Sequence, residues 1–238
     1  MNYGGLVAPT WLTVFLDFDP ARFDVGVQFW QHVTGSDLSP PRGEHDEFAT
    51  LLPADGDPFL RVQRLQHRPS GVHLDVHLPG REFDVRRSPG GMAYCVVPGP
   101  ESRRPAASVW PGGHRSIVDQ ICLDIPARHY DDECAFWSEL TGWALHGSTV
   151  HTDFRSLVRP QGQPIRVLLQ RVLDDRPRVT AHVDLATDDR AAESRRHEAL
   201  GARVEGVHQW WTVLVDPAGS RYCITDRDTE TGMPATSR

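Results

Sequence analysis

The chain has 238 residues, 24% of them charged and 39% apolar, with a net charge of −7 at neutral pH. That composition is ordinary for a folded globular chain and excludes a wholly disordered one, while the acidic balance argues against nucleic acid or anionic membrane surfaces as partners. No apolar run approaches the ~18–20 residues of a membrane span, the start lacks the basic-then-apolar form of a signal peptide, and the cysteines form no CxxC pair, so a cytoplasmic chain with reduced thiols is expected.

Taken in order, residues 13–35 predict a strand and then a helix whose apolar positions Phe23, Val27 and Trp30 recur at i, i+4 and i+7, with Gly35 to stop it. Residues 47–65 read as two strands joined by a Gly/Pro turn. GVHLDV then places His73 on a strand, and SPGGMAYCVV reads as a turn followed by a strand through Cys95. Residues 98–116, rich in Pro, Gly, Ser and Arg, are expected to form an extended linker.

The second half restates the first. Residues 120–142 align without a gap on residues 13–35, sharing Leu16/Leu123, Asp17/Asp124, Phe29/Phe136, Trp30/Trp137, Thr34/Thr141 and Gly35/Gly142. Residues 153–172 repeat residues 47–65 with one insertion, and RVTAHVDLATDD (178–189) sets His182 on His73 and Asp184 on Asp75. Alternation puts His182, Asp184 and Ala186 on one face of that strand. Asp188 or Asp189 can cap a following helix, which Gly201 can end; its charged run 193–198 predicts a solvated face. WTVLVDPAGSRYCIT (211–225) predicts two strands around a turn, and residues 229–238 a polar, disordered tail. The stretch from His73 to Pro89 is shorter than its counterpart from His182 to Pro217 by about one helix and its loops. The bare sheet face this leaves is expected to be covered by the other module.

This order, with the FWSELTG helix end, the AHVDLATDD strand and the DPAGSRYCI ending, resembles the vicinal-oxygen-chelate superfamily: glyoxalase I, bleomycin resistance proteins and extradiol dioxygenases. The resemblance implies an α+β chain of tandem βαβββ units forming curled mixed sheets around cavities. A shortened first module would span residues 10–97, a linker 98–116 and a complete second module 117–228.

In that superfamily four inward strand positions can hold a divalent metal. Carried over, they are Gln120, Gln170, His182 and Cys223 in the second module and Thr13, Gln63, His73 and Cys95 in the first. Neither set contains the carboxylates expected of metal-dependent glyoxalases. Nor does either contain the two histidines and one carboxylate that hold ferrous iron in ring-cleaving dioxygenases, so that activity is not expected. A thiolate and an imidazole do suit zinc. The resemblance therefore implies a small organic ligand in the second-module cavity, lined by Gln120, Gln170, Cys223 and Trp211. His182 would act as base or metal ligand in a lyase or isomerase; the alternative is sequestration of a drug or metabolite without chemistry. It leaves open a bound zinc, nickel, manganese or iron ion or none, and a homodimer. On residue chemistry alone, the histidines also read as hydrogen-bonded strand residues, the cysteines as small buried side chains and the glutamines as orienting partners. The helix tryptophans read as packing; of the adjacent Trp210 and Trp211, one reads as core and the other as a wall of the cavity or of an interface.

Overall fold

A computed structural model describes residues 8–66, 70–99, 102–148 and 151–234. The first half runs β1 (Trp11–Phe18), α1 (Phe23–Thr34), β2 (Asp37–Leu38), β3 (Phe48–Leu52), β4 (Leu60–Arg64), β5 (Gly71–His77), β6 (Asp84–Arg87) and β7 (Ala93–Val97). After β8 (Ser108–Val109) in the connection come β9 (Arg115–Pro126), α2 (Tyr130–Thr141), β10 (Leu145–Gly147), β11 (Phe154–Leu157) and β12 (Arg166–Val172). The chain continues through β13 (Thr180–Thr187), α3 (Arg190–Ala199), β14 (Arg203–Val207), β15 (Trp211–Val215) and β16 (Arg221–Asp226).

Each half builds its own mixed sheet, in the order β2-β3-β4-β1-β5-β7-β6 and β10-β11-β12-β9-β13-β16-β15-β14, with β8 added on β9. β1 and β9 are equivalent: each pairs in parallel with one neighbour (β4 or β12) and antiparallel with the other (β5 or β13). On β1 the alternation sends Leu12, Val14, Leu16 and Phe18 to one face and Thr13, Phe15 and Asp17 to the other. All eight β1 residues are buried, so both faces are covered. The second sheet curls far enough for Phe154 on β11 to meet Trp211 on β15, their ring centroids 6.2 Å apart.

The helices join the halves. α1 and α2 end on Gly35 and Gly142 at φ of 65° and 67°, left-handed turns that glycine adopts without a Cβ clash. Phe29 and Trp30 of α1 lie on Tyr222 of β16, with centroids 6.0 and 5.2 Å away, while Phe136 and Trp137 of α2 lie on Tyr94 of β7 at 5.7 and 5.4 Å. Each module's helix thus seals the other's sheet. The first module lacks a helix between β5 and β6, and α2 supplies the cover as far as β7. Beyond it, β6 stays open, with Phe83 and Val85 65% and 61% exposed.

Four expectations are corrected. Arg115 and Ser116 belong to β9, not to the linker. Residues 229–234 are ordered rather than a disordered tail: Gly232 N bonds Asp228 O at 2.8 Å, Arg227 bridges Pro234, and the carbonyls meet arginines described below; residues 235–238 lie outside the described residues. The 193–198 run is not simply a solvated face, because α3 is the cover of its half-sheet. Glu193 and His197 are fully buried, with Glu193 taking hydrogen bonds from Ser116, Arg196 and His114 and His197 Nδ1 lying 2.8 Å from Tyr222 Oη. Finally, neither of the adjacent tryptophans is the core residue expected of one of them: Trp210 is 42% exposed ahead of β15 and Trp211 is half-buried.

Candidate functional site

The register of three strands assembles the site. On the antiparallel pair β9–β13, His182 stands opposite Cys122 and Asp184 opposite Gln120; on the parallel pair β13–β16, Asp184 stands beside Cys223. A bulge follows Asp184, where the β9–β13 register shifts. Alternation turns Cys122, Asp124, His182, Asp184, Gln170 and Cys223 to the concave face.

His182 is the hub. Its Nδ1 lies 3.2 Å from Asp124 Oδ2, and its Nε2 lies 3.4 Å from Asp184 Oδ1 and 3.8 Å from Cys223 Sγ. Ligand atoms of His182, Asp184 and Cys223 all fall within 4.8 Å of one another. Arg176 steadies Asp124 at 3.3 Å. Gln120 donates its amide to Asp184 Oδ2, and Cys122 Sγ donates to Gln170 Oε1 at 3.3 Å. Asp184 Oδ1 is buried and accepts no hydrogen bond among the described residues.

Burial shapes the charges. It raises the Asp184 carboxyl, against the pull of His182, Gln120 and Arg227, and lifts the Cys223 thiol to about 11 and the Cys122 thiol to about 12. For His182, burial opposes the imidazolium, but Cys122, Asp124 and Cys223 together raise it well above its ordinary value.

The first module repeats the skeleton and closes it. His73 Nδ1 meets Asp17 Oδ2 at 2.7 Å, and His73, Asp75 and Cys95 cluster as their counterparts do. Yet Phe15, in the place of Cys122, stacks on the His73 ring at 4.6 Å, and Arg61 pairs with Asp75 at 3.5 Å. Thr13 turns to His77, its Oγ1 2.9 Å from Nε2, and Gln63 stands beside Asp17 in the β1–β4 register. An aromatic ring and a guanidinium thus stand in the first module where the second has Cys122 and Leu168.

Of the sequence-derived residues, His182 and Cys223 come together. Gln120 and Gln170 serve as hydrogen-bond partners of Asp184 and Cys122. Trp211 lines the rim with Phe154 and stacks on His208 at 4.8 Å. None of Asp124, Asp184 and Cys122 is among the four positions carried over from the superfamily, although Asp124, on the Gln120 face of its strand, reads from the sequence as a polar cavity residue or a strand-ending turn former. The signal for two of them was present: both copies carry the same strand aspartate (Asp17, Asp124) and the same His-x-Asp (His73-x-Asp75, His182-x-Asp184). A cavity of about 260 Å³ lies elsewhere, between the modules, lined by residues such as Val33, Leu51, Ala107 and Leu185 rather than by this cluster.

A family model described as "Glyoxalase-like domain" matches residues 13–97 and 120–225. No protein of curated function matches the chain. Among solved structures, a Mn(II)-bound glyoxalase from Novosphingobium aromaticivorans is similar at 16% identity and a TM-score of 0.59, over 92% of this chain and 82% of that one. An extradiol ring-cleaving dioxygenase from B. fuscum aligns over 100% of this chain and 77% of its own, at 14% identity and a TM-score of 0.59. A xylose isomerase-like TIM barrel/4-hydroxyphenylpyruvate dioxygenase fusion protein aligns at 12% identity and a TM-score of 0.58, over 92% of this chain, which spans 48% of that protein. At such identities the structural likeness speaks for fold alone. With both halves matched by the same family model, the chain belongs to the glyoxalase-like domain family of the vicinal-oxygen-chelate superfamily, its unit present twice.

Proposed function

We propose that the second module binds a small organic molecule on its concave face and acts on it as a lyase or isomerase, with a divalent ion held by His182, Asp184 and Cys223. The observation that carries this is the set of donors gathered at His182 Nε2. Its Nε2 faces a buried carboxylate oxygen without a hydrogen bond and a thiol 3.8 Å away. Its Nδ1 side is taken by Asp124, the carboxylate–histidine arrangement that orients metal ligands. Imidazole, carboxylate and thiolate together suit zinc, and three protein ligands leave a position for water or substrate.

When bound, such an ion would supply Lewis-acid polarisation of a substrate oxygen. The chain's own residues do the rest. Asp124 takes the Nδ1–H and fixes the ring, Gln120 turns Asp184, and Trp211 with Phe154 offers an aromatic rim to an organic ligand. A second reading, sequestration without chemistry, draws on that same aromatic rim.

Metal analysis of the purified chain, followed by proton NMR of hydroxyacetone in D₂O, tests the proposal. About one equivalent of zinc, lost in His182→Ala, and metal-dependent exchange of the α-protons support the enzyme. Metal-free protein that binds aromatic compounds without exchange supports sequestration instead.

A further inference from the structure

One end of the concave wall is crowded with guanidinium groups. Arg104 from the connection and Arg159 from the β11–β12 loop share Asp119 Oδ1, at 3.0 and 2.7 Å, with side chains only 14% and 10% exposed. Arg166 lies on the same face of β12 as Gln170 and in register with Gln120, and Arg227 follows β16. Burial pushes Arg166 down to about 10, with Arg227 among the groups that add to the effect, and lowers Arg104 and Arg227 as well.

Buried cations of this kind normally sit on carboxylates. Arg104 and Arg159 have Asp119, whereas Arg166 and Arg227 form no ion pair among the described residues, and main-chain oxygens of the C-terminal segment bond all four. Thr229 O and Glu230 O accept from Arg104, Glu230 O and Thr231 O from Arg159, and Gly232 O from both Arg166 and Arg227. The segment folds on itself through Asp228, which takes Thr231 N at 2.7 Å, and its backbone comes so close that a Cβ on Gly232 would lie 2.5 Å from Asp119 Oδ2. Arg166 stands in register with Gln120, which donates to Asp184, so this end of the wall adjoins the His182 cluster.

We propose that Arg104, Arg159, Arg166 and Arg227 form a subsite for the carboxylate of an organic substrate, that residues 229–232 fill it with carbonyl oxygens, and that the segment leaves when the anion binds. The inference rests on the second-module cavity being the ligand site and deepens it by naming the substrate class. Neutral carbonyls are the weaker partners: a carboxylate forms charge-assisted, bidentate bonds to arginine, roughly twice as strong as neutral ones. A substrate carrying its carboxylate here would extend towards His182, Asp184 and the Trp211 rim.

Hydrogen exchange of the full chain with benzoate or benzamide at equal concentration tests this, because the two differ chiefly in charge. Benzoate is expected to speed exchange of the Asp228, Thr231 and Gly232 amides at least fivefold and benzamide to leave them unchanged, with the difference abolished in the double variant R166Q/R227Q. A Gly232→Ala chain, its segment dislodged, is expected to bind benzoate about tenfold more tightly than the parent. Equal responses to the two compounds, or no response to benzoate, overturn the proposal. Metal content is read separately, so failure of the His182 ion site and failure of this subsite show as different results.

Discussion

His182 Nδ1 lies 3.2 Å from Asp124 Oδ2, and that contact turns the opposite ring nitrogen towards Asp184 and Cys223. If the contact orients a ligand, its loss weakens the ion without removing a donor. Asp124→Asn is expected to lower zinc affinity by about 10–100-fold, read by competition against a coloured chelator, with the fold intact by circular dichroism.

The first module answers differently. His73→Ala is expected to leave the metal content unchanged, because Phe15 covers the ring and Arg61 holds Asp75. It removes the donor at 2.7 Å from the buried Asp17 carboxylate, at a cost of about 1–3 kcal/mol. Denaturant midpoints and metal analysis on the one variant separate the two effects.

Trp30 Nε1 donates to Asp216 Oδ2 at 2.9 Å, tying α1 to the second module's β15–β16 turn. Trp137 Nε1 donates to Glu133 Oε2 at 2.7 Å, and Glu133 in turn takes the Gly90 N–H of the first module. Trp30→Phe keeps a ring in place but leaves a buried carboxylate oxygen short of its donor, and about 1–3 kcal/mol of stability is expected to go. Trp137→Phe should cost a similar amount, and chemical unfolding should remain a single transition if the modules are locked together as described.

Glu193 makes the acid limb of stability partly its own. Burial works against its carboxylate, yet hydrogen bonds from Arg196 and His197 hold its pKa below the ordinary 4.5. A depressed folded value means the contribution is complete above about 4.5 and fades as pH falls towards the folded value. Glu193→Gln is expected to cost about 3–5 kcal/mol at pH 7, and the gap in Tm between variant and parent should narrow once pH drops below about 4.5.

Much of the fold is legible in the sequence because the unit is written twice. The Phe-Trp and Thr-Gly pairs of the two helix ends align without gaps, and the missing helix shows as a shortened span after His73. The site was half legible. The four positions inherited from the superfamily include His182 and Cys223, which lie 3.8 Å apart, but pass over Asp184, although the alternation places it on the His182 face. Cys122 had no signal, since its counterpart is Phe15. The buried charges of α3 were hidden because their partners, Ser116, His114 and Tyr222, come from distant segments. The arginine cluster was invisible for the same reason: its members come from the connection, a loop, one strand and the chain after β16, with no period to betray them.

The central claim is that the Nε2 side of His182 holds an ion with Cys223 as a ligand. Cobalt(II) titration of the full chain reads this through thiolate-to-metal charge transfer in the near ultraviolet. The expected result is a band saturating at one equivalent, lost in Cys223→Ser and His182→Ala and kept in Cys95→Ser. A chain that shows no such band, or one whose band survives Cys223→Ser, contradicts the account.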